Sequence, residues 1–156
     1  MTTVADYLGR IVDVLAFPGA KAQGEALLKQ ELASKDHSGY VCTGIQKLAQ
    51  RFLLELLTEK GSMKYLPSRG TSFMIVARQG RLLTELDVRQ EFNLALVDIE
   101  RNLQAEENTT MPTDEQYDGS SLLSITIQPG FLSLRINVRS RAGTNRAVIL
   151  PLPVTV

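Results

Sequence analysis

Apolar positions keep helical time through the middle of this chain and strand time near its end. Ile45, Leu48, Ala49, Phe52, Leu53, Leu56 and Leu57 recur at i, i+3, i+4 and i+7, which sets them on one face of a helix opened by Thr43. Gly61 stands where a C-terminal glycine would stop that helix. A second stripe, Val88, Phe92, Ala95, Leu96, Ile99 and Leu103, predicts a long helix from Thr84 to Glu107. Thr84 caps it, with the carboxylate of Asp87 three residues on, and Asn108 to Pro112 ends it. Beyond that point the alternation becomes that of a strand. Leu123, Ile125 and Ile127 alternate with Ser124, Thr126 and Gln128, and Pro129-Gly130 makes a tight turn. Leu132, Leu134, Ile136 and Val138 then alternate with polar neighbours. Ala142 to Asn145 is a second turn, and Ala147 to Leu152 a third strand.

These periods predict an α+β fold, a helical N-terminal half followed by a small antiparallel sheet of two to four strands packed on the long helix. Residues 39–156 form a single domain, and residues 1–38 an arm with one or two helices. In the arm, Val4, Tyr7, Leu8, Ile11, Val12 and Leu15 fall at helical spacing, with a strand as the alternative because β-branched residues crowd Ile11 to Val14. A second helix is expected from Ala22 to Ala33, and Ser34 to Gly39 reads as a loop. Tyr65 to Gly70 is irregular, and Phe73 to Val76 is either a short strand or a turn of helix.

A sheet this small is marginal unless its apolar face is covered, and its edges present unpaired N–H and C=O groups. The long helix can cover the face. The edges remain, and an added strand from a partner is what such an edge invites.

Composition narrows the chemistry. The chain has 156 residues, 44% hydrophobic and 22% charged, as in an ordinary globular domain. Its 17 basic and 17 acidic side chains cancel, so nothing advertises nucleic acid as a partner. No stretch approaches the ~20 apolar residues that span a bilayer, and no signal peptide is expected at the amino terminus. Cys42 is the single cysteine and His37 the single histidine, too few for a zinc site of the usual kind. Cys42 beside a helix start could carry a lowered thiol pKa, although a small core residue is the expected role. His37 sits in Ser-Lys-Asp-His-Ser-Gly, a loop composition that reads as an exposed bystander, not a triad. Glu85, Asp87, Glu91, Asp98 and Glu100 have the spacing of a solvated helix face. Glu55, among leucines, is a buried acid or, more in keeping with such positions, sits at the edge of the stripe or pairs with Arg51 one turn back. The glycines match no phosphate loop. Arg135, Arg139, Arg141 and Arg146 gather on the hairpin, where without interleaved aromatics they suit a charged rim better than a nucleic-acid surface, and a plain solvated face better than either. No enzyme chemistry, cofactor or metal follows from these residues.

The order of elements resembles the baseplate wedge and sheath-initiator family of contractile phage tails, often labelled tail-lysozyme-like or baseplate assembly protein W. The resemblance lies in Gly44-Ile45-Gln46-Lys47-Leu48-Ala49-Gln50 opening a helix that ends Leu56-Leu57-Thr58-Glu59-Lys60-Gly61-Ser62. It continues in Pro67-x-x-Gly70-Thr71, a long helix, two or three strands and a Leu150-Pro151 end, and spans about Gly39 to Pro153. Many relatives carry Glu-Pro-Arg just before the first strand. Here that region reads Pro112-Thr113-Asp114-Glu115-Gln116-Tyr117, which keeps the acid as Glu115 and lacks the arginine.

The resemblance implies a structural part of the virion tail baseplate, assembled in the host cytoplasm and present in multiple copies, six by the symmetry of such tails. Its implied partners are other wedge subunits and the tail sheath protein, with no nucleic acid and no membrane. The interface residues expected on this basis are Ile45, Leu48, Phe52 and Leu56 on the first helix, Arg135, Arg139 and Arg146 as the orienting charges, and Val148 and Leu150 on the last strand, where the backbone of Ala147 to Leu152 is expected to do the edge pairing. Two alternatives stay open: a peptidoglycan-cleaving tail lysozyme using Glu55 or the Glu85–Glu91 acids, and an assembly chaperone absent from the finished particle.

Overall fold

A computed structural model describes residues 10–11, 13–14, 29–31 and 38–154. In chain order the elements are β1 (Asp13–Val14), β2 (Lys29–Glu31), β3 (Ser38–Cys42), α1 (Gly44–Leu57), α2 (Phe73–Arg78), α3 (Glu85–Glu106), β4 (Tyr117–Gln128), β5 (Phe131–Ser140) and β6 (Asn145–Pro153). The fold is α+β. β4, β5 and β6 form a three-stranded antiparallel meander, and β1, β3 and β2 form a second small antiparallel sheet in that spatial order.

The N-terminal arm departs from the helical expectation. Asp13 and Val14 pair with Cys42 and Val41, and Lys29 to Glu31 pair with Tyr40 to Ser38. Helical spacing of apolar residues in so short a stretch is also compatible with a strand, and a neighbouring strand decides. Ser38 and Gly39 belong to β3 and not to a loop. The rest of the expected arm helices, with His37, lies outside the described residues.

α1 runs without proline or an internal glycine and buries Leu48, Ala49, Phe52, Leu53 and Leu56. It ends at Leu57, earlier than Gly61, because Thr58 takes an extended conformation while its N–H still bonds Leu54 O. The chain then straps back across the helix end. Thr71 N donates to Thr58 O at 2.8 Å and Lys60 N to Thr71 O at 3.0 Å, a parallel bridge between Glu59 and Thr71. Gly70 makes that crossing possible: its φ is +83°, and a Cβ there would stand 2.3 Å from Thr58 O. Phe73 to Val76 proves helical, as part of α2.

α3 opens with the expected capping box, Asp87 N to Thr84 Oγ1 at 3.2 Å and Thr84 N to Asp87 Oδ2 at 2.9 Å. Its predicted stripe is buried at Val88, Phe92, Ala95, Ile99 and Leu103, with Leu96 partly so. α1 packs against α3, β5 and β6, and α3 also meets β4 directly. Phe52 stacks on Tyr117 of β4, ring centroids 6.2 Å apart, and meets Phe92 of α3 at 6.4 Å. The inner face of the sheet is Leu132, Leu134, Ile136 and Val138 of β5 with Val148, Leu150 and Leu152 of β6, all buried. In β4 a register shift between Leu122 and Ser124 changes the phase of the strand. Leu122 packs on the core and Leu123 is exposed, the reverse of what simple alternation assigns. Among the described residues, no helix is long and apolar enough to cross a membrane.

Candidate interaction surface

β6 reads Asn-Arg-Ala-Val-Ile-Leu-Pro-Leu-Pro, and its side chains alternate strictly between exposed and buried. Two hydrogen bonds set the phase of its backbone. At the hairpin turn Ser140 N donates to Thr144 O at 2.9 Å, and at the far end Val154 N donates to Gly130 O at 3.2 Å. Bonded and non-bonded pairs alternate along an antiparallel ladder. With Val138 opposite Arg146 and Leu132 opposite Leu152, the even-numbered residues of β6 therefore exchange bonds with β5. Asn145, Ala147, Ile149, Pro151 and Pro153 turn their main chain the other way. Both prolines fall at these outward positions, where a missing N–H costs the ladder nothing. Among the described residues no strand lies on that side of β6.

The structure relocates most of the expected interface side chains. Leu48, Phe52 and Leu56 are fully buried in the chain's own core, and Ile45 is partly buried against it, so α1 has its apolar face occupied already. Val148 and Leu150 are 2% and 6% exposed and point inward. What β6 offers is the backbone of the residues between them. Arg146 is 5% exposed because it shares the inward phase of Val148, so it leaves the rim. Arg135 and Arg139 do lie exposed on the outer face, opposite Ile149 and Asn145 respectively. Arg139 pairs with Asp118 at 2.5 Å and Arg141 with Glu107 at 2.9 Å, so these two hairpin arginines are engaged by nearby carboxylates.

A second surface was not anticipated. Leu86, Leu94 and Val97 are 61% to 65% exposed on the side of α3 away from the core. The signal for it was a second, sparser helical stripe inside the stretch of acids read as a solvated face. Near the β4–β5 turn a hollow of about 250 Å³ is lined by Ala77, Leu82, Leu83, Ile127, Pro129 and Val154.

The two buried acids are held by their neighbours. Glu55 accepts from Gly70 N at 3.0 Å and Asn102 Nδ2 at 2.9 Å and pairs with Arg69, so it fastens the 58–72 strap to α1 and α3. Arg51, its expected partner, instead pairs with Glu106 at 2.7 Å. Glu115 accepts from Thr43 Oγ1 at 2.7 Å, Gly44 N at 3.0 Å and Lys47 Nζ at 2.8 Å, with Arg10 at 3.7 Å. A remote carboxylate thus serves the start of α1, and Thr43 donates to it where a cap on its own helix was expected. Burial would raise the Glu115 carboxyl, but the bonds from Lys47, Thr43 and Gly44 prevail and hold it below the ordinary range. Burial pushes the Cys42 thiol up to about 11, opposite to the lowering a helix start could have produced. Among the described residues no group of three His, Cys, Asp or Glu side chains could hold a metal ion.

Comparisons with protein families, with curated proteins and with solved structures found no match to this chain.

Proposed function

We propose that this chain is a structural component of a contractile phage tail baseplate, acting through contact and breaking no bonds. One observation carries the proposal: among the described residues, the meander is closed on its inner face by α1 and α3 and open along the outer backbone of β6. An open edge strand offers main-chain hydrogen bonds to a partner and is otherwise a liability for aggregation. In this reading β6 presents its edge to the first ring of tail sheath subunits. The exposed leucines and valine of α3 take the part first expected of α1 and pack against helices of other wedge subunits. The full engagement of Glu55 and Glu115 by hydrogen-bond donors and cations favours structural over acid–base roles for both.

Mass spectrometry of purified particles tests the reading. A baseplate component is present at a small multiple of six copies, whereas an assembly chaperone is absent from the finished particle. A zymogram of the purified chain tests the hydrolase alternative: clearing of peptidoglycan that Glu55→Gln abolishes would overturn the structural assignment.

A further inference from the structure

We infer, resting on the contact role proposed above, that copies of this chain join head to tail, the strap between α1 and α2 of one entering the hollow beside the β4–β5 turn of the next. The strap carries an apolar tip. Tyr65 is 85% exposed, Leu66 52% and Met63 45%, an exposed apolar cluster of the kind that marks a contact site. The tip is also held in shape. Gly61 N donates to Pro67 O at 3.1 Å, Leu66 N to Met63 O at 3.3 Å and Arg69 N to Leu66 O at 3.0 Å. Lys64 Nζ stands 5.5 Å from the centre of the Tyr65 ring. Arg69 pairs with Glu55 and Glu106, and Lys60 with Asp98 at 2.9 Å, so both feet of the strap are pinned. A loop already ordered by its own chain gives up little entropy on docking, and a tyrosine on it makes a strong anchor.

The hollow is the matching part. Its volume of about 250 Å³ lies below the roughly 300–1,000 Å³ of sites for drug-sized ligands, and its walls are mostly apolar, so it suits one or two apolar side chains. The tip does not fill the hollow of its own chain. Ser68 and Arg69 are tied to Asn102 and Glu106, whereas the hollow adjoins Leu83 just ahead of α3, about 25 Å away along that helix at its usual rise. A second copy brings the tip without that restriction. Both halves of the contact are present on this one chain, which is what commits it to another copy of itself. The 17 basic and 17 acidic residues leave no net charge to hold copies apart. Arg81 and Glu85 flank Leu82 and Leu83 and are exposed, so the rim carries both signs where Lys64 arrives. A projection and a recess on different parts of one surface make a heterologous contact, which closes into a ring when the rotation per copy divides a full turn.

Sedimentation of the full chain at concentrations up to about 1 mM tests this, because a contact of a few side chains is weak on its own. The mass should rise with concentration past that of a dimer. Tyr65→Ser removes the anchor, and Leu83→Lys sets a cation in the hollow against Lys64. Each should weaken association about tenfold or more, with thermal melts unchanged because both residues are exposed. Mixed in equal amounts, the two variants should form pairs and stop at two, since one keeps only the hollow and the other only the tip. In that mixture, with Tyr65→Ser isotopically labelled, amide shifts are expected at Leu82, Ile127 and Val154. A wild-type chain that stays monomeric at about 1 mM would overturn the inference. So would variants that associate as wild type does, a mixture that stays monomeric, or shifts confined to β6. Association of this pattern in a chain absent from purified particles upholds the inference and sinks the baseplate reading alone. A monomeric chain found in particles sinks the inference alone.

Discussion

α1 and β6 meet across the same core, and they use their amphipathic patterns in opposite ways. α1 turns its apolar face to β5, β6 and α3 and is finished: Leu48, Phe52 and Leu56 have no surface left to share. β6 is finished only as far as its side chains go. Val148, Leu150 and Leu152 are buried like Leu48, Leu53 and Leu56 of α1, yet every second backbone unit still faces outward. Side-chain burial and backbone satisfaction are separate quantities. A helix satisfies its backbone internally and can be judged by its faces, whereas a strand at an edge can have a fully buried side and an unspent main chain.

Substitutions can break that contrast, and the largest effect belongs to the closed side. Phe52→Ala should cost about 3–5 kcal/mol by denaturant unfolding, since it empties the space between Phe92 and Tyr117. A cost under about 1 kcal/mol would mean that α1 is not sealed. Within β6, Val148→Pro removes a ladder bond to β5 and should destabilise by about 3 kcal/mol. Ala147→Pro, one residue away, should change stability by less than about 1 kcal/mol, because its N–H faces outward. Thermal melts of the pair read the difference directly.

Smaller effects sharpen the picture at the start of α1. Glu115→Ala should cost about 1–3 kcal/mol by leaving Gly44 N and Lys47 without their acceptor. The folded-state value of this carboxyl is depressed, so its stabilisation is present above the ordinary glutamate value of 4.5 and is lost as pH falls below it. Wild type should therefore lose more stability on acidification than Glu115→Gln, and parallel pH profiles would show that the cluster contributes nothing. Smallest of all, Leu94→Glu should alter folding by no more than about 0.5 kcal/mol. Its effect should appear as reduced incorporation into particles, because that side of α3 belongs to the proposed interface and not to the core.

Local period carried most of the architecture. α3 shows its cap, its stripe and its end in consecutive residues, and β5 alternates without interruption, so both were readable. Phase was harder. The irregularity between Leu122 and Ser124 moves Leu123 to the surface, and nothing local announces a bulge in a run of serine, leucine and isoleucine. Arg146 departs from the expected rim because its spacing from Val148 and Leu150 places it on the inward side, a phase the sequence already contains. The partners of Glu55 and Glu115 come from residues brought together only by the fold, Asn102 from α3 and Lys47 from α1. Amphipathicity told that the face of α1 is covered, not whether this chain or another covers it. The open edge was legible as a consequence of a small sheet. Its usable positions required the ladder phase.

Residue-resolved amide hydrogen exchange along β6 of the isolated chain tests the central claim most directly. The account predicts alternation, with Arg146, Val148, Leu150 and Leu152 slow and Asn145, Ala147 and Ile149 exchanging as freely as amides open to water. Slow exchange at all of these positions would contradict it, because the edge would then already be covered.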